Sequence, residues 1–171
     1  MRIELDKLEE KGGKFAHVYQ PEELVLDEEG VRLTEAPEVA GRAKRDGHQV
    51  RLRGRITAAA EVDCDRCLTS IRVPVETEFD VTYVPATDYE EAATAELQAE
   101  DLNLSVFDGE TIDIDDLTRE QVLLALPMHA LCREECQGLC PVCSINRNTE
   151  TCGCETTEVD PRWAGLKNLR F

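Results

Sequence analysis

Eight cysteines carry most of the chemistry available to this chain: Cys64, Cys67, Cys132, Cys136, Cys140, Cys143, Cys152 and Cys154. The last six run Cys132-x3-Cys136-x3-Cys140-x2-Cys143-x8-Cys152-x-Cys154. Residues 1–14 are charged and lack the apolar core of a secretory signal. The thiols are therefore expected to stay reduced and to bind metal in preference to forming disulfides. Zn²⁺ takes four thiolate or imidazole ligands in a tetrahedron, which two short loops supplying two each can satisfy. Cys140-Pro141-Val142-Cys143 has the form of a zinc knuckle, with a proline stiffening the turn. The favoured ligand set is Cys140, Cys143, Cys152 and Cys154, with Cys132 and Cys136 as alternatives. A structural Zn²⁺ brings roughly 10–16 kcal/mol of apparent free energy at neutral pH, which matters in a segment with few large apolar residues. His129 reads as a loop residue before it reads as a ligand.

Cys64 and Cys67 pose a separate question. The plainest reading makes them two small residues closing a hairpin. They can also complete a second four-thiol site with Cys132 and Cys136, giving two metals for eight cysteines. The redox reading of a C-x-x-C motif needs a helix N-terminus to depress the thiol pKa, and here a strand follows. Arg51, Arg53 and Arg55 form a basic row that can track phosphates, but facing acids favour a self-neutralised ladder. Asp113, Asp115 and Asp116 can bind a divalent cation, although acids at this place more often cap a helix. The sequence has no Ser-His-Asp arrangement, phosphate-binding glycine loop or H-E-x-x-H motif, so no enzyme is expected.

The elements that must position these thiols follow from hydrophobic periodicity. From Val50 to Cys64 the even positions are Val50, Leu52, Gly54, Ile56, Ala58, Ala60 and Val62, while the odd ones begin Arg51, Arg53, Arg55. That is a strand with one buried face. After Cys67 the odd positions Ile71, Val73, Val75, Phe79, Val81 and Tyr83 are the apolar ones. A two-residue loop at Asp65 and Arg66 predicts a register placing Leu52 opposite Phe79, Ile56 opposite Val75 and Ala60 opposite Ile71. On the other face Arg51 then meets Asp80, Arg53 meets Glu78, and Arg55 meets Glu76. Each such pair contributes about 0.2–1 kcal/mol.

Asp46-Gly47 is a second turn signal and adds a strand over residues 39–45, making a meander. Short strands near residues 1–6 and 31–34 are expected to extend it. Residues 88–101 read as a solvated helix or an acidic loop, residues 111–114 as a short strand, and residues 115–126 as a helix ended by Pro127. Asp160-Pro161 signals an N-cap and a first-turn proline, opening a short helix with Trp163, Leu166 and Leu169. The expected fold is α+β: an antiparallel sheet core, meander or barrel-like, with few helices and a zinc-stapled C-terminal segment. The division is a sheet-rich domain over 1–126 and a cysteine-rich segment with a terminal helix over 127–171.

The net charge is −17, and residues 73–118 hold 14 acids without one Lys or Arg. Such a chain repels phosphate, so non-specific nucleic-acid binding is not expected, whereas a local basic patch or a basic protein partner remains compatible. No apolar run reaches the ~18 residues of a membrane span, and a cytoplasmic location is expected.

Two signatures coincide. One is Cys64-Asp65-Arg66-Cys67-Leu68. The other runs from Leu131-Cys132 through Cys136-Gln137-Gly138-Leu139-Cys140-Pro141-Val142-Cys143 to Cys152-Gly153-Cys154, then Asp160-Pro161-Arg162-Trp163 with Leu166 and Leu169. Together they resemble the large ribosomal RNA subunit accumulation proteins, the YceD-like family, best over residues 50–169. Ser144 departs from the family, which usually has glycine after the second knuckle cysteine. The resemblance implies a non-enzymatic cytosolic factor supporting processing or accumulation of large-subunit (23S) ribosomal RNA. The partners it implies are a ribosomal protein or the RNA-processing machinery, with precursor RNA met directly or indirectly, and no membrane or small-molecule substrate. The alternative is a thiol redox or metal-handling protein using Cys64 and Cys67.

Overall fold

The two alternating stretches form long antiparallel strands, β4 (Gln49–Asp63) and β5 (Ser70–Pro85), in a computed structural model of the chain. The structure describes residues 1–8, 12–20, 22–92, 103–108, 110–154 and 162. The proposed helix with Trp163, Leu166 and Leu169 lies outside them.

The hairpin register departs from expectation by two residues. Leu52 pairs with Val81, Gly54 with Phe79, Arg53 with Asp80 and Asp63 with Ser70. The connection is thus residues 64–69, not the two residues between the cysteines. A shift of two keeps every side chain on its face, which is why the alternation could not reveal it. The charged ladder survives: Arg51 still meets Asp80 and Arg55 still meets Glu76, while Arg53 turns from Glu78 to Asp80. Arg51 grips Asp80 with both Nε (2.7 Å) and Nη2 (2.8 Å), and Arg53 Nε adds a third bond to the same carboxylate at 2.9 Å. Arg55 reaches Glu76 at 3.1 Å and Glu78 at 3.0 Å. The Arg51 and Arg53 guanidiniums hold the Asp80 carboxyl well below the usual carboxylate range. The stability this contributes is present above the unfolded carboxylate pKa and fades as pH falls below about 4, and solvent screening keeps it small.

The main sheet has the order β2 (Gly13–Val18), β3 (Val31–Asp46), β4, β5, β6 (Leu104–Phe107). All pairs are antiparallel except β5 with β6. The sheet is open, with β2 and β6 at its edges, so the barrel-like form is not adopted. The two short strands expected within residues 31–45 are one 16-residue strand with irregular pairing between Leu33 and Glu38. The extreme N-terminal strand β1 (Arg2–Glu4) does not extend this sheet; it pairs with β7 (Thr111–Asp113). Helix α1 (Ala86–Ala92) opens the acidic stretch, whose residues 93–102 lie outside the described ones.

Helix α2 (Ile114–Ala125) covers the sheet with Ile114, Leu117, Thr118 and Val122, all essentially buried. Its acids serve the helix: the Asp113 side chain accepts from Asp115 N, and Asp116 pairs with Arg119 at 2.6 Å. The buried Tyr19 hydroxyl donates to Asp115 Oδ1 at 2.9 Å, and burial raises its pKa so that it remains a donor. Opposite α2, the inner face presents Val39, Leu52, Ile56, Val75 and Phe79. Gly41 and Gly54 face each other across β3 and β4, and the rings of Phe15 and Phe79 close over them from the flanking strands, centroids 6.5 Å apart. No described helix is long and apolar enough to cross a membrane.

Candidate metal centres

All eight cysteines are free thiols, gathered in two groups of four. Cys64 and Cys67 from the β4–β5 connection join Cys132 and Cys136 from the segment after α2. Cys140, Cys143, Cys152 and Cys154 form the other group. Within each group the four sulfurs lie within 4.8 Å of one another. The set favoured on sequence grounds is thus brought together, and so is the second set that spacing only allowed. Cys132 and Cys136 join the hairpin rather than the C-terminal pair, because the hairpin tip folds over to meet them.

Both C-x-x-C turns are built by the same backbone bonds. In the first, Cys64 N donates to Thr69 O at 2.9 Å and Leu68 N to Cys64 O at 2.9 Å. In the second, Cys140 N donates to Ile145 O at 2.9 Å and Ser144 N to Cys140 O at 2.8 Å. The residue after the second cysteine is left-handed in each, Leu68 at φ 56° and Ser144 at φ 60°. That conformation is what a glycine would relax at Ser144. In each knuckle the first sulfur accepts from the backbone N–H groups two and three residues on: Arg66 and Cys67 for Cys64, Val142 and Cys143 for Cys140. Cys132 N adds a third donor to Cys64 Sγ at 3.4 Å. This makes the hairpin tip a knuckle in its own right, and it is why the connection needs six residues.

These donors set the thiol electrostatics. The Cys64 thiol is drawn down to about 6, first by the Cys132 N–H, and the Cys140 thiol to about 6 by the N–H groups of Cys143 and Val142. Their neighbours move the other way. Burial pushes Cys132 up to about 12, and the Cys143 sulfur together with burial pushes Cys154 up to about 12. Four thiolates at this range repel one another, so a full set requires a cation among them.

The spacing fits that demand. Cys64 Sγ lies 3.8 Å from Cys136 Sγ, and Cys67 Sγ 3.7 Å from Cys132 Sγ. A disulfide needs about 2.05 Å. The edge of a thiolate tetrahedron around a centre with ~2.3 Å metal–sulfur bonds is about 3.8 Å. Cys64, Cys67 and Cys136 are buried, with Ile71, Leu131 and Leu139 packed against them. The donor set, its spacing and its need for positive charge all suit a closed, four-thiolate metal site, and each group can hold one ion. Among the described residues no other cluster of three or more ligating side chains occurs. His129 is not part of either group; its Nδ1 lies 3.2 Å from Asp65 on the knuckle.

One supporting residue has no motif to announce it. Asn148, in the loop after the second knuckle, donates from Nδ2 to Cys136 Sγ at 3.2 Å. Its Oδ1 accepts from Gln137 N at 2.9 Å and from Arg133 at 2.7 Å. Leu139 N donates to Arg66 O at 2.9 Å and Arg147 N to Gly138 O at 3.0 Å, so the two centres share one bonded framework. Gly138 is left-handed at φ 71°, and a Cβ there would come 2.9 Å from Arg66 O. A spacing rule finds ligands, but an asparagine that braces one from twelve residues away leaves no trace in it.

An open, mostly antiparallel sheet tied at one hairpin tip to a pair of four-thiol centres defines an α+β protein with two candidate metal sites. The family model of the large ribosomal RNA subunit accumulation protein YceD matches residues 52–170, and the chain belongs to that family. An uncharacterised protein of Mycobacterium tuberculosis strain H37Rv is 34% identical over 116 residues, covering 68% of this chain and 53% of that protein. YlbN of Bacillus subtilis is 24% identical over 168 residues, 97% of this chain and 92% of YlbN. The chloroplastic YCED homolog 1 of Arabidopsis thaliana, named as a large ribosomal RNA subunit accumulation protein, is 37% identical over 59 residues, 34% of this chain and 18% of its own. The chain spans about half the length of the mycobacterial relatives it matches. No solved structure matches it.

Proposed function

We propose that this protein is a non-enzymatic, cytoplasmic adaptor that supports processing or accumulation of large-subunit (23S) ribosomal RNA, with a structural Zn²⁺ held by each thiol group. The family match over residues 52–170 carries the ribosomal part of the reading. The zinc part rests on four convergent thiols per site within 4.8 Å of one another, with sulfur pairs at 3.7 and 3.8 Å in the hairpin site. Bound there, Zn²⁺ would supply cross-linking and charge neutralisation. The 14 acids of residues 73–118 favour a basic protein such as a ribosomal protein as one partner, because complementary charge speeds encounter.

The redox alternative draws on the lowered Cys64 thiol. A redox pair must also be reachable, and Cys64 is 0% exposed and Cys67 5%. Depletion in the source organism tests the main reading. Unprocessed large-subunit precursor RNA should rise and be restored by the wild-type protein; unchanged precursor levels would count against it.

Asn148→Ala should weaken metal binding at the hairpin site about 10–100-fold while sparing the C-terminal site, because loss of a ligand's supporting bond costs that much. Competition against a chromogenic chelator would then show one of two zinc ions leaving early. Release of both ions at the wild-type chelator concentration would refute the bracing role.

A further inference from the structure

The outer face of the sheet carries a concentration of positive charge that the candidate centres do not use. Lys14 on β2, Arg42 and Lys44 on β3, and Arg51 and Arg53 on β4 are all exposed. They line one hollow of about 580 Å³, with Ala40 and Gly41 in β3 and Asp46 at one end. Strand pairing sets Lys14 beside Arg42, Arg42 beside Arg53, and Lys44 beside Arg51. Like charges directly opposite each other destabilise a sheet. Arg51 and Arg53 share the single carboxylate Asp80, while Lys14, Arg42 and Lys44 have no acidic partner among the described residues. Five cations therefore face two carboxylates, Asp80 and Asp46, in a protein of net charge −17.

We infer that this face binds the phosphate backbone of single-stranded RNA, with Lys14, Arg42, Lys44, Arg51 and Arg53 as the contacting groups. The inference rests on the ribosomal reading above and adds to it the direct contact with RNA and the surface that makes it. The Cα positions that bear these cations stand about 4.8 Å apart across strands and about 6.8 Å apart along them, a spacing their long side chains can fit to a run of neighbouring phosphates. Asp80 holds the Arg51 and Arg53 guanidiniums side by side, and their N–H groups not bonded to it are left to meet a phosphate. The lining has no aromatic side chain on which a base could stack, so recognition is of the backbone and tolerant of sequence. The acidic remainder of the molecule confines the contact to this face and favours a small footprint.

Fluorescence anisotropy of the full purified chain with a labelled, mixed-sequence RNA of about 16 nucleotides tests this. Four or five phosphate contacts give a slope of log affinity against log salt near −3, at about 0.7 per contact. The double variant Arg42→Gln/Lys44→Gln should bind about tenfold more weakly, with a slope shallower by about 1.4. It should melt no lower than wild type, since three like-charge pairs are relieved. Arg32→Gln, on the same strand but outside the hollow, should change neither affinity nor slope. Unchanged affinity in the double variant would overturn the inference. So would polyglutamate displacing the RNA and losing affinity equally in that variant, which would assign the face to an acidic protein. In depleted cells, precursor processing restored by the double variant would leave the ribosomal role standing and remove this surface from it. Normal processing on depletion, with RNA binding lost by the double variant in vitro, would keep the surface and remove the role.

Discussion

The purified protein should contain two zinc ions per chain, and stripping them should release eight titratable thiols and dissolve the packing of residues 130–154. The hairpin tip would go with them, since Asp65 N bonds to Ala130 O and Leu139 N to Arg66 O only while the two segments are held together. Structural zinc of this kind contributes roughly 10–16 kcal/mol apparent at pH 7, more than the whole stability of most domains. Cys64→Ser should therefore lose one ion and lower the melting temperature by well over ten degrees; Cys152→Ser should lose the other with less effect on the sheet. Acid acts in the same direction. Metal binding needs every ligand as thiolate, so protonation competes with it, and zinc should leave progressively as pH falls, Cys64 and Cys140 being the last of the thiols to take up protons. Inductively coupled plasma mass spectrometry and thiol counting across a pH series, with thermal melts beside them, read these quantities. A metal-free protein with eight reactive thiols and an unchanged melting curve would remove the metal centres from the account.

Gly54→Val should cost about 3 kcal/mol or more, the largest effect expected from a single change in the sheet. A Cβ on Gly54 would stand 2.3 Å from Ala40 O, 2.6 Å from Phe79 Cζ and 2.8 Å from Gly41 Cα. Two of those atoms are backbone and cannot swing aside. The ring of Phe79 would have to leave the place it shares with Phe15. Gly54→Ala should already show most of the loss, because the clash is with the first carbon. Urea denaturation of the zinc-loaded protein measures it. A loss under about 0.5 kcal/mol for Gly54→Ala would mean the strands separate more easily than their pairing implies.

The way Gly54 sits under Phe79 also shows where sequence reasoning stopped. Alternation identified both strands and both faces, because burial of one face is what creates the period. It could not set the register, since a shift of two leaves the period untouched. The missing information was in residues 64–69, where the left-handed Leu68 closes a knuckle. A leucine gives no hint of that conformation, whereas Ser144 drew notice against an expected glycine. Strands β2 and β6 escaped for other reasons. Gly13, Lys14, Ala16 and Val18 leave β2 with four of its six positions exposed, and β6 is a four-residue parallel strand whose partner is set by tertiary packing. For the cysteines, spacing favoured the C-terminal four but left Cys132 and Cys136 open as alternatives. Pairing Cys64 and Cys67 with Cys132 and Cys136 required knowing that the chain returns to the hairpin tip after α2.

That return has a cost in time during synthesis. Cys64 and Cys136 stand 72 residues apart, so the hairpin emerges well before the second half of its site exists. At about 5–20 residues per second, the nascent chain carries Cys64 and Cys67 as an incomplete pair for roughly 4–14 s. In that interval the β4–β5 strands can zip, but their tip has neither its metal complement nor the Ala130 and Leu139 segments that cover it. The C-terminal centre, spanning 15 residues from Cys140 to Cys154, closes soon after it is made. Of the two thiol centres the one at the hairpin tip therefore waits longer for its missing ligands, and oxidants reaching a translating ribosome have their widest opportunity at Cys64 and Cys67.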